Sequence, residues 1–391
     1  MFRHKGAYAA VLILTAAILL LFPKPFIAVL LGLEIILPLS MYCLLRADIS
    51  AVELSIKAPN TCVVGSPVKV EFIHSSSRPL IVASAVKVRF DMTNLLFNAP
   101  RTASAVISLS KGREQYAQFE PKMCGELVMK SGTIYCTDIF GLCAVKLPCD
   151  LQCRINIVPE LTDIRIDTDQ MAKARPEMGS HPISRKGSDT SEVFDLRDYD
   201  YGDDMKSVHW KLSGKADNLI VKEFSDSTKF DTVLLYDIAL MTGETEISKD
   251  LLQTAVGAAL SLSKALIKAG YSHNVAFVFG GKAVTMPVFD ERSANDMMYA
   301  FIAHPLSEKN GLVCQYMLAG QLDCDYETVI YLTAHSFPAE LGLIPDSVNL
   351  NAVVIKEGDS MPVVTRTSPT RMVIEAGADY FKENHSFGIF V

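Results

Sequence analysis

The sequence has little of what enzymes and nucleic-acid binders need. Lys and Arg number 37 against 44 Asp and Glu, which gives a net charge of −7 and a pI near 5.7. A nucleic-acid binder needs a basic face, so that class is disfavoured, and no nucleic-acid partner is expected. There is no Walker lysine motif: Gly280-Gly281-Lys282 lacks the spaced glycine and the Ser/Thr, and reads as a turn. Neither a G-x-S-x-G elbow nor an H-E-x-x-H pair occurs, so no catalytic residue is assigned and the chain reads as a non-enzyme. A disulfide framework is missing as well. The nine cysteines, Cys43, Cys62, Cys124, Cys136, Cys143, Cys149, Cys153, Cys314 and Cys324, are odd in number and scattered. That suits a reducing compartment with free, mostly buried thiols. The spacing of Cys136, Cys143, Cys149 and Cys153 is unlike a zinc ribbon or finger, so no metal and no cofactor is expected there.

Charge is missing most conspicuously at the start. Gly6 to Phe22 runs without a charged residue, Pro23-Lys24-Pro25 breaks the helix, and Phe26 to Leu45 carries only Glu34. Each run has roughly the length needed to cross a bilayer, so residues 1–47 read as a transmembrane helical hairpin. A removed signal peptide fits less well, because a second apolar run follows and no small-x-small site separates the two. Arg3 and Lys5 before the hairpin and Arg46 after it, against Lys24 in the turn, place both ends in the cytoplasm. The expectation is a two-pass protein of the cell membrane with cytoplasmic soluble domains. Glu34 is costly in mid-bilayer unless neutral or paired. It reads as a helix-to-helix contact completed by an oligomer or membrane partner, with a proton path as the rival.

The remainder is too long for one ordinary domain. Residues 51–160 alternate with period two, as in Val68-Lys69-Val70-Glu71-Phe72 and Val86-Lys87-Val88-Arg89-Phe90-Asp91. Further β-rich runs cover 103–109, 115–119, 127–135 and 154–158, with Gly-, Pro- and Ser-containing turns between them. The pattern predicts an all-β, sandwich-like module. Residues 161–192 are polar and read as a linker. From 193 onward, strands 232–237, 275–279, 329–332 and 352–355 alternate with helices 248–269 and 294–302. That alternation implies an α/β domain with a mostly parallel sheet.

Between linker and sheet lies the most distinctive stretch, Phe194-Asp195-Leu196-Arg197-Asp198-Tyr199-Asp200-Tyr201-Gly202-Asp203-Asp204, running on to Val208-His209-Trp210. It reads as a charged turn, with Gly202 free in backbone angle and Asp203 or Asp204 capping a short helix that carries Val208 and Trp210. Trp210 is expected to pack this segment onto the next domain. Residues 219–224 read as a strand. His209 near the two aspartates is a surface residue or, less simply, half of a catalytic or metal pair.

These residues resemble the family named domain of unknown function 58 (DUF58), marked by L-R-x-Y-x-x-G-D, a later tryptophan, and a leucine before a K-E-F-like strand. Leu196, Arg197, Tyr199, Gly202, Asp203, Trp210, Leu219, Lys222 and Glu223 match. Asp138-Ile139-Phe140-Gly141-Leu142 is similar to the same family's D-P-F-G-L motif, with Ile139 in place of proline. Other departures are Tyr201 for proline, Lys206 for arginine and His209 for aspartate. The resemblance implies a von Willebrand factor A-like (Rossmann-like) α/β domain. It also implies a MoxR-type AAA+ ATPase as partner, often beside a transglutaminase-like membrane protein. A-like domains often hold a divalent cation through D-x-S-x-S, but here Asp237-Ile238-Ala239-Leu240-Met241 retains only the first ligand. Asp237 therefore reads as a degenerate metal-site position. The function expected is a membrane-anchored scaffold or adaptor, with a metal-dependent ligand-binding A domain as the alternative. Arg197, Tyr199, Gly202, Asp203, Trp210, Lys222 and Glu223 then form a docking face or an internal brace.

Overall fold

The structure, a computed structural model, describes residues 2–110, 115–162, 164–166, 193–198, 208–213, 220–224, 230–242, 245–322, 324, 326–334, 336–383 and 388–389. The chain divides into two compact units, 1–160 with 299–305, and 161–298 with 306–391. The protein is multidomain, with an apolar helix near its N-terminus and extensive β-sheet.

The first unit opens with α1 (Phe2–Leu21) and α2 (Pro25–Ile49). Pro25 stands in the first turn of α2, where its missing N–H costs nothing. Of the described helices, α2 is long and apolar enough to cross a membrane, while the apolar part of α1, Lys5–Leu21, is shorter. Pro38 interrupts the backbone ladder of α2, because it has no N–H to give the carbonyl four residues earlier, that of Glu34. The Tyr8 hydroxyl of α1 donates to that carbonyl instead. The Thr15 hydroxyl donates to the Glu34 carboxylate at 3.1 Å. Within the chain, Glu34 thus makes a helix-to-helix contact with Thr15, and its second carboxylate oxygen is buried without a hydrogen bond.

Ten strands follow: β1 (Val52–Lys57), β2 (Thr61–Val63), β3 (Val68–Ser76), β4 (Ala83–Asn94), β5 (Ala99–Ser108), β6 (Gln115–Phe119), β7 (Gly125–Ser131), β8 (Ile134–Asp138), β9 (Ala144–Leu147) and β10 (Gln152–Val158). One sheet runs β1-β3-β6. The other runs β2-β10-β7-β4-β8-β9, with β5 also on β4. Alternation decides which side faces in: Val68, Val70 and Phe72 of β3 and Val86, Val88 and Phe90 of β4 are buried, while Lys69, Glu71, Lys87 and Arg89 face out. Phe72 and Phe90 stack at 5.8 Å between ring centres, joining the two sheets in one core. Each such side chain contributes about 1.5–3 kcal/mol by leaving water. The run expected over 127–135 is two strands, because Gly132-Thr133 turns the chain and the Gly132 N–H bonds the Arg89 carbonyl at 2.7 Å.

Helix α2 does not stop at this unit's edge. Leu45 and Ile49 lie in the same core as Val86, Ile134 and Leu151. Asp48, at 0% exposure, accepts through one oxygen from the amides of Ile81, Val82 and Ala83 at 2.9, 2.8 and 3.0 Å. Arg78 stands 3.9 Å from its other oxygen.

In the second unit, β11 (Arg165–Ile166) pairs with β24 (Gly388–Ile389). The expected linker is therefore in part a strand; its positions 163 and 167–192 lie outside the described residues. β12 (Val193–Asp198) pairs antiparallel with β13 (Ile220–Phe224), and α3 (Trp210–Ser213) lies between them in sequence. β14 (Thr232–Asp237), α4 (Lys249–Lys268), β17 (His273–Phe279), β18 (Lys282–Val288), α5 (Glu291–Ile302), α6 (Leu312–Leu318), β20 (Thr328–Ala334), β21 (Asn349–Lys356), β22 (Val363–Ser368), β23 (Arg371–Gly377) and α7 (Ala378–Glu383) complete the order. β15 (Ala239–Thr242), β16 (Thr245–Glu246) and β19 (Ser307–Lys309) form a small separate sheet.

The main sheet runs β18-β17-β14-β20-β21-β23-β22. Its five middle strands are parallel, and an antiparallel strand closes each edge. Strands buried on both faces read as continuous apolar runs, as Thr232–Asp237 does. Ser248 caps α4 by accepting from the Leu251 amide.

Candidate functional site

The chain passes from β14 to β17 on one side and later, from β18, crosses to β20 on the other side of β14. In open α/β sheets ligands bind outside the carboxyl ends of strands where the winding reverses. Here that point is the end of β14 beside β20, where Asp237 pairs in register with Thr333.

Asp237 is 1% exposed. Its Oδ2 accepts from the Gly311 amide and from the Tyr331 hydroxyl, while its Oδ1 is buried with no hydrogen-bond partner. Gly311 precedes α6 with φ of 86°, a left-handed angle that favours glycine. A side chain there would also press on Pro338 and Glu340 at 3.2 Å. Glu340 sits in the short helical turn Ala339–Leu343 and accepts from Gln315 of α6 at 2.9 Å. Burial raises the Asp237 carboxyl to about 6, the charge on Glu340 adds to this, and the Tyr331 and backbone hydrogen bonds oppose it. Burial, then the Asp237 and Glu340 charges, push the Cys314 thiol up to about 12.

The arrangement is a buried carboxyl tied into α6 and β20, with burial raising its affinity for a proton. It does not fit the divalent cation that an A-like domain implies. N–H and O–H donors point at the carboxylate where a cation would need oxygen, and positions 239 and 241 are Ala and Met. Among the described residues no three His, Cys, Asp or Glu side chains are grouped as a metal would need. A Ser–His pair does form, Ser263 to His273 at 2.8 Å, but both residues are at 0% exposure and the pair belongs to the core.

The charged signature is divided. Leu196, Arg197 and Asp195 of β12 pair in register with Lys222, Val221 and Glu223 of β13. Tyr199, Gly202 and Asp203, with Asp204, lie outside the described residues. Trp210 opens α3, but Val208 does not belong to that helix: it forms a bridge with Val221, and both are buried. The helix is capped from position 209, where His209 Nδ1 accepts from the Leu212 amide at 3.3 Å, so His209 has a local structural use. Tyr331, Gly311 and Glu340 escaped the sequence reading, and Cys314 was read there only as one of the scattered free thiols. The one signal available was Asn310-Gly311 before a short apolar run.

Residues 195–315 match the model of the family described as "Protein of unknown function DUF58". That stretch runs from β12 through the first turn of α6 and includes Asp237. No curated protein matches. Among solved structures, a cohesin module of a family 33 glycoside hydrolase from Clostridium perfringens is similar at 13% identity, with 28% of this chain and 98% of that chain covered and a TM-score of 0.22. The CARDB domain of PF1109 from Pyrococcus furiosus gives 14% identity, 27% and 87% coverage, and a TM-score of 0.20. A beta-glucosidase from Listeria innocua gives 11%, 28% and 16%, and 0.18. Likenesses this distant decide nothing about activity.

Proposed function

We propose that the chain is a two-pass membrane-anchored, non-enzymatic scaffold or adaptor whose soluble domains are cytoplasmic and work with a MoxR-type AAA+ ATPase. The observation that carries this reading is the end of α2. The apolar helix enters the core of the β unit through Leu45 and Ile49 and is tied there by Asp48, so the end of the anchor is part of the first module's core. Thr15, Glu34 and Tyr8 support the reading of α1 and α2 as a hairpin. The strand order, with Asp237 at the end of β14, supports a von Willebrand factor A-like domain that has exchanged its cation for internal hydrogen bonds. The ATPase, and a transglutaminase-like membrane protein beside it, rest on the family resemblance.

The test is affinity capture of the detergent-solubilised full-length protein from its native cells, with and without ATP. Recovery of a MoxR-type ATPase, identified by mass spectrometry, is expected. A preparation without any AAA+ ATPase removes the adaptor reading. Substitution of Arg197 and Asp203 then separates docking from bracing: capture lost with an unchanged melting temperature means docking, and a lowered melting temperature means a brace.

A further inference from the structure

The turn between β8 and β9, Asp138-Ile139-Phe140-Gly141-Leu142, has no role in the reading above. Two of its three large apolar residues face outward, Ile139 at 56% and Phe140 at 51% exposure, while Leu142 is half-buried. The turn is nonetheless stiff. The Ile139 amide donates to the Val82 carbonyl at 3.0 Å, that of Gly141 to the Asp138 carbonyl at 3.1 Å, and that of Cys143 to the buried Asp138 carboxylate at 3.1 Å. Gly141 supplies the left-handed angle, φ 66°. Amides satisfied within the protein are what irregular backbone requires at membrane depth.

The level of this turn is fixed against α2. The Cys143 thiol donates to the Pro38 carbonyl at 3.3 Å. Pro38 stands seven residues before Leu45, the end of the apolar run of α2, which is about 10 Å at 1.5 Å per residue. Leu45 itself is enclosed by the β core, but Leu39 and Tyr42, one and four residues beyond Pro38, are exposed, so a bilayer covering the exposed apolar residues of α2 reaches the level of the turn.

We propose that Ile139 and Phe140 insert into the lipid acyl boundary of the cytoplasmic leaflet, a third membrane contact beside the two helices. The occupant of this surface is lipid, and the inference rests on the membrane-anchored reading. It explains why a family-like motif places exposed apolar residues on a rigid turn. With the Asp48 tie, it holds the β unit flush against the bilayer at two places.

The test uses the full-length protein in phosphatidylcholine–phosphatidylglycerol vesicles, with Trp210→Phe removing the native fluorophore and either Phe140→Trp or Leu33→Trp added. Lipids brominated high in the acyl chain quench a tryptophan that touches them. Loss of emission at both positions, with a blue-shifted spectrum at 140, is the expected result. Loss at 33 without loss at 140 overturns the lipid contact and leaves the anchor standing, and that result is also what a protein partner or a second copy covering the turn would give. Loss at neither position overturns both. Ile139→Trp, on the same rim, gives a second reading should the first substitution disturb the fold.

Discussion

Asp48 and Asp237 are carboxylates taken out of water to the same degree, at 0% and 1% exposure, one at the end of α2 and the other at the end of β14. Each leaves one oxygen without a hydrogen bond. The other oxygen of Asp48 collects three amides from a single loop, Ile81 to Ala83, and Arg78 stands nearby. That of Asp237 takes an amide and a phenol from elements far apart in the chain, and Glu340 adds a like charge. The supply of donors and the sign of the neighbouring charge therefore give equal burial two uses. One aspartate fastens an apolar helix to a sandwich. The other is a titrating group at the winding reversal of a parallel sheet.

The largest expected effect comes from breaking the first. Asp48→Ala leaves three amides without their acceptor and should cost about 3–5 kcal/mol. The check is chemical denaturation in detergent, followed through the β signal in circular dichroism. Asp48→Asn keeps an accepting oxygen and should cost about half as much; a loss below 1 kcal/mol for the alanine variant would sink the fastening role.

Next comes the pH response of the α/β unit. The folded pKa of Asp237 is raised to about 6, so between about pH 4 and pH 6 the folded state holds more protons than the unfolded state. Its contribution to stability therefore falls as pH rises through that window, by about 3 kcal/mol in full. Burial pushes His273 the opposite way for a base, down to about 4. That histidine contributes stability present above about pH 6.5 and lost as pH falls toward 4, by a similar amount. The two slopes oppose each other in the intact protein. Asp237→Asn should expose a stability that rises steeply from pH 4 to 6, and His273→Gln one that falls, both read from urea midpoints across pH. Unchanged slopes in either variant would contradict the assignment.

The smallest effect belongs to a simple cap. Ser248→Ala removes the acceptor for the Leu251 amide at the start of α4 and should cost about 1 kcal/mol. Thermal melting at one pH is sufficient to see it.

Much of the fold was legible where burial imposes a period. β14 was read with its bounds, and α4 to within a residue at each end, because Leu251, Leu252, Ala255, Val256, Ala259 and Leu262 all face the core. β22 left no trace, since nearly every residue of that edge strand is exposed and no buried face marks it. α6 is seven residues long, too short for helical spacing to declare itself. β12 was read as a charged turn although Val193-Phe194-Asp195-Leu196-Arg197-Asp198 alternates almost as a strand should. The site was the least legible part. Asp237 was singled out, but Gly311 and Tyr331 lie 74 and 94 residues away in sequence. Asp48 went unremarked in the sequence, because its three partners lie 33 to 35 residues on.

The central claim is an anchor that holds both soluble units on the cytoplasmic face. Protease treatment of inverted and of right-side-out membrane vesicles carrying the full-length protein tests it most directly. The account predicts that the soluble units are digested in inverted vesicles alone, leaving a protected fragment that contains α1 and α2. Digestion from the outer face, or release of the intact chain by alkaline carbonate, would contradict it.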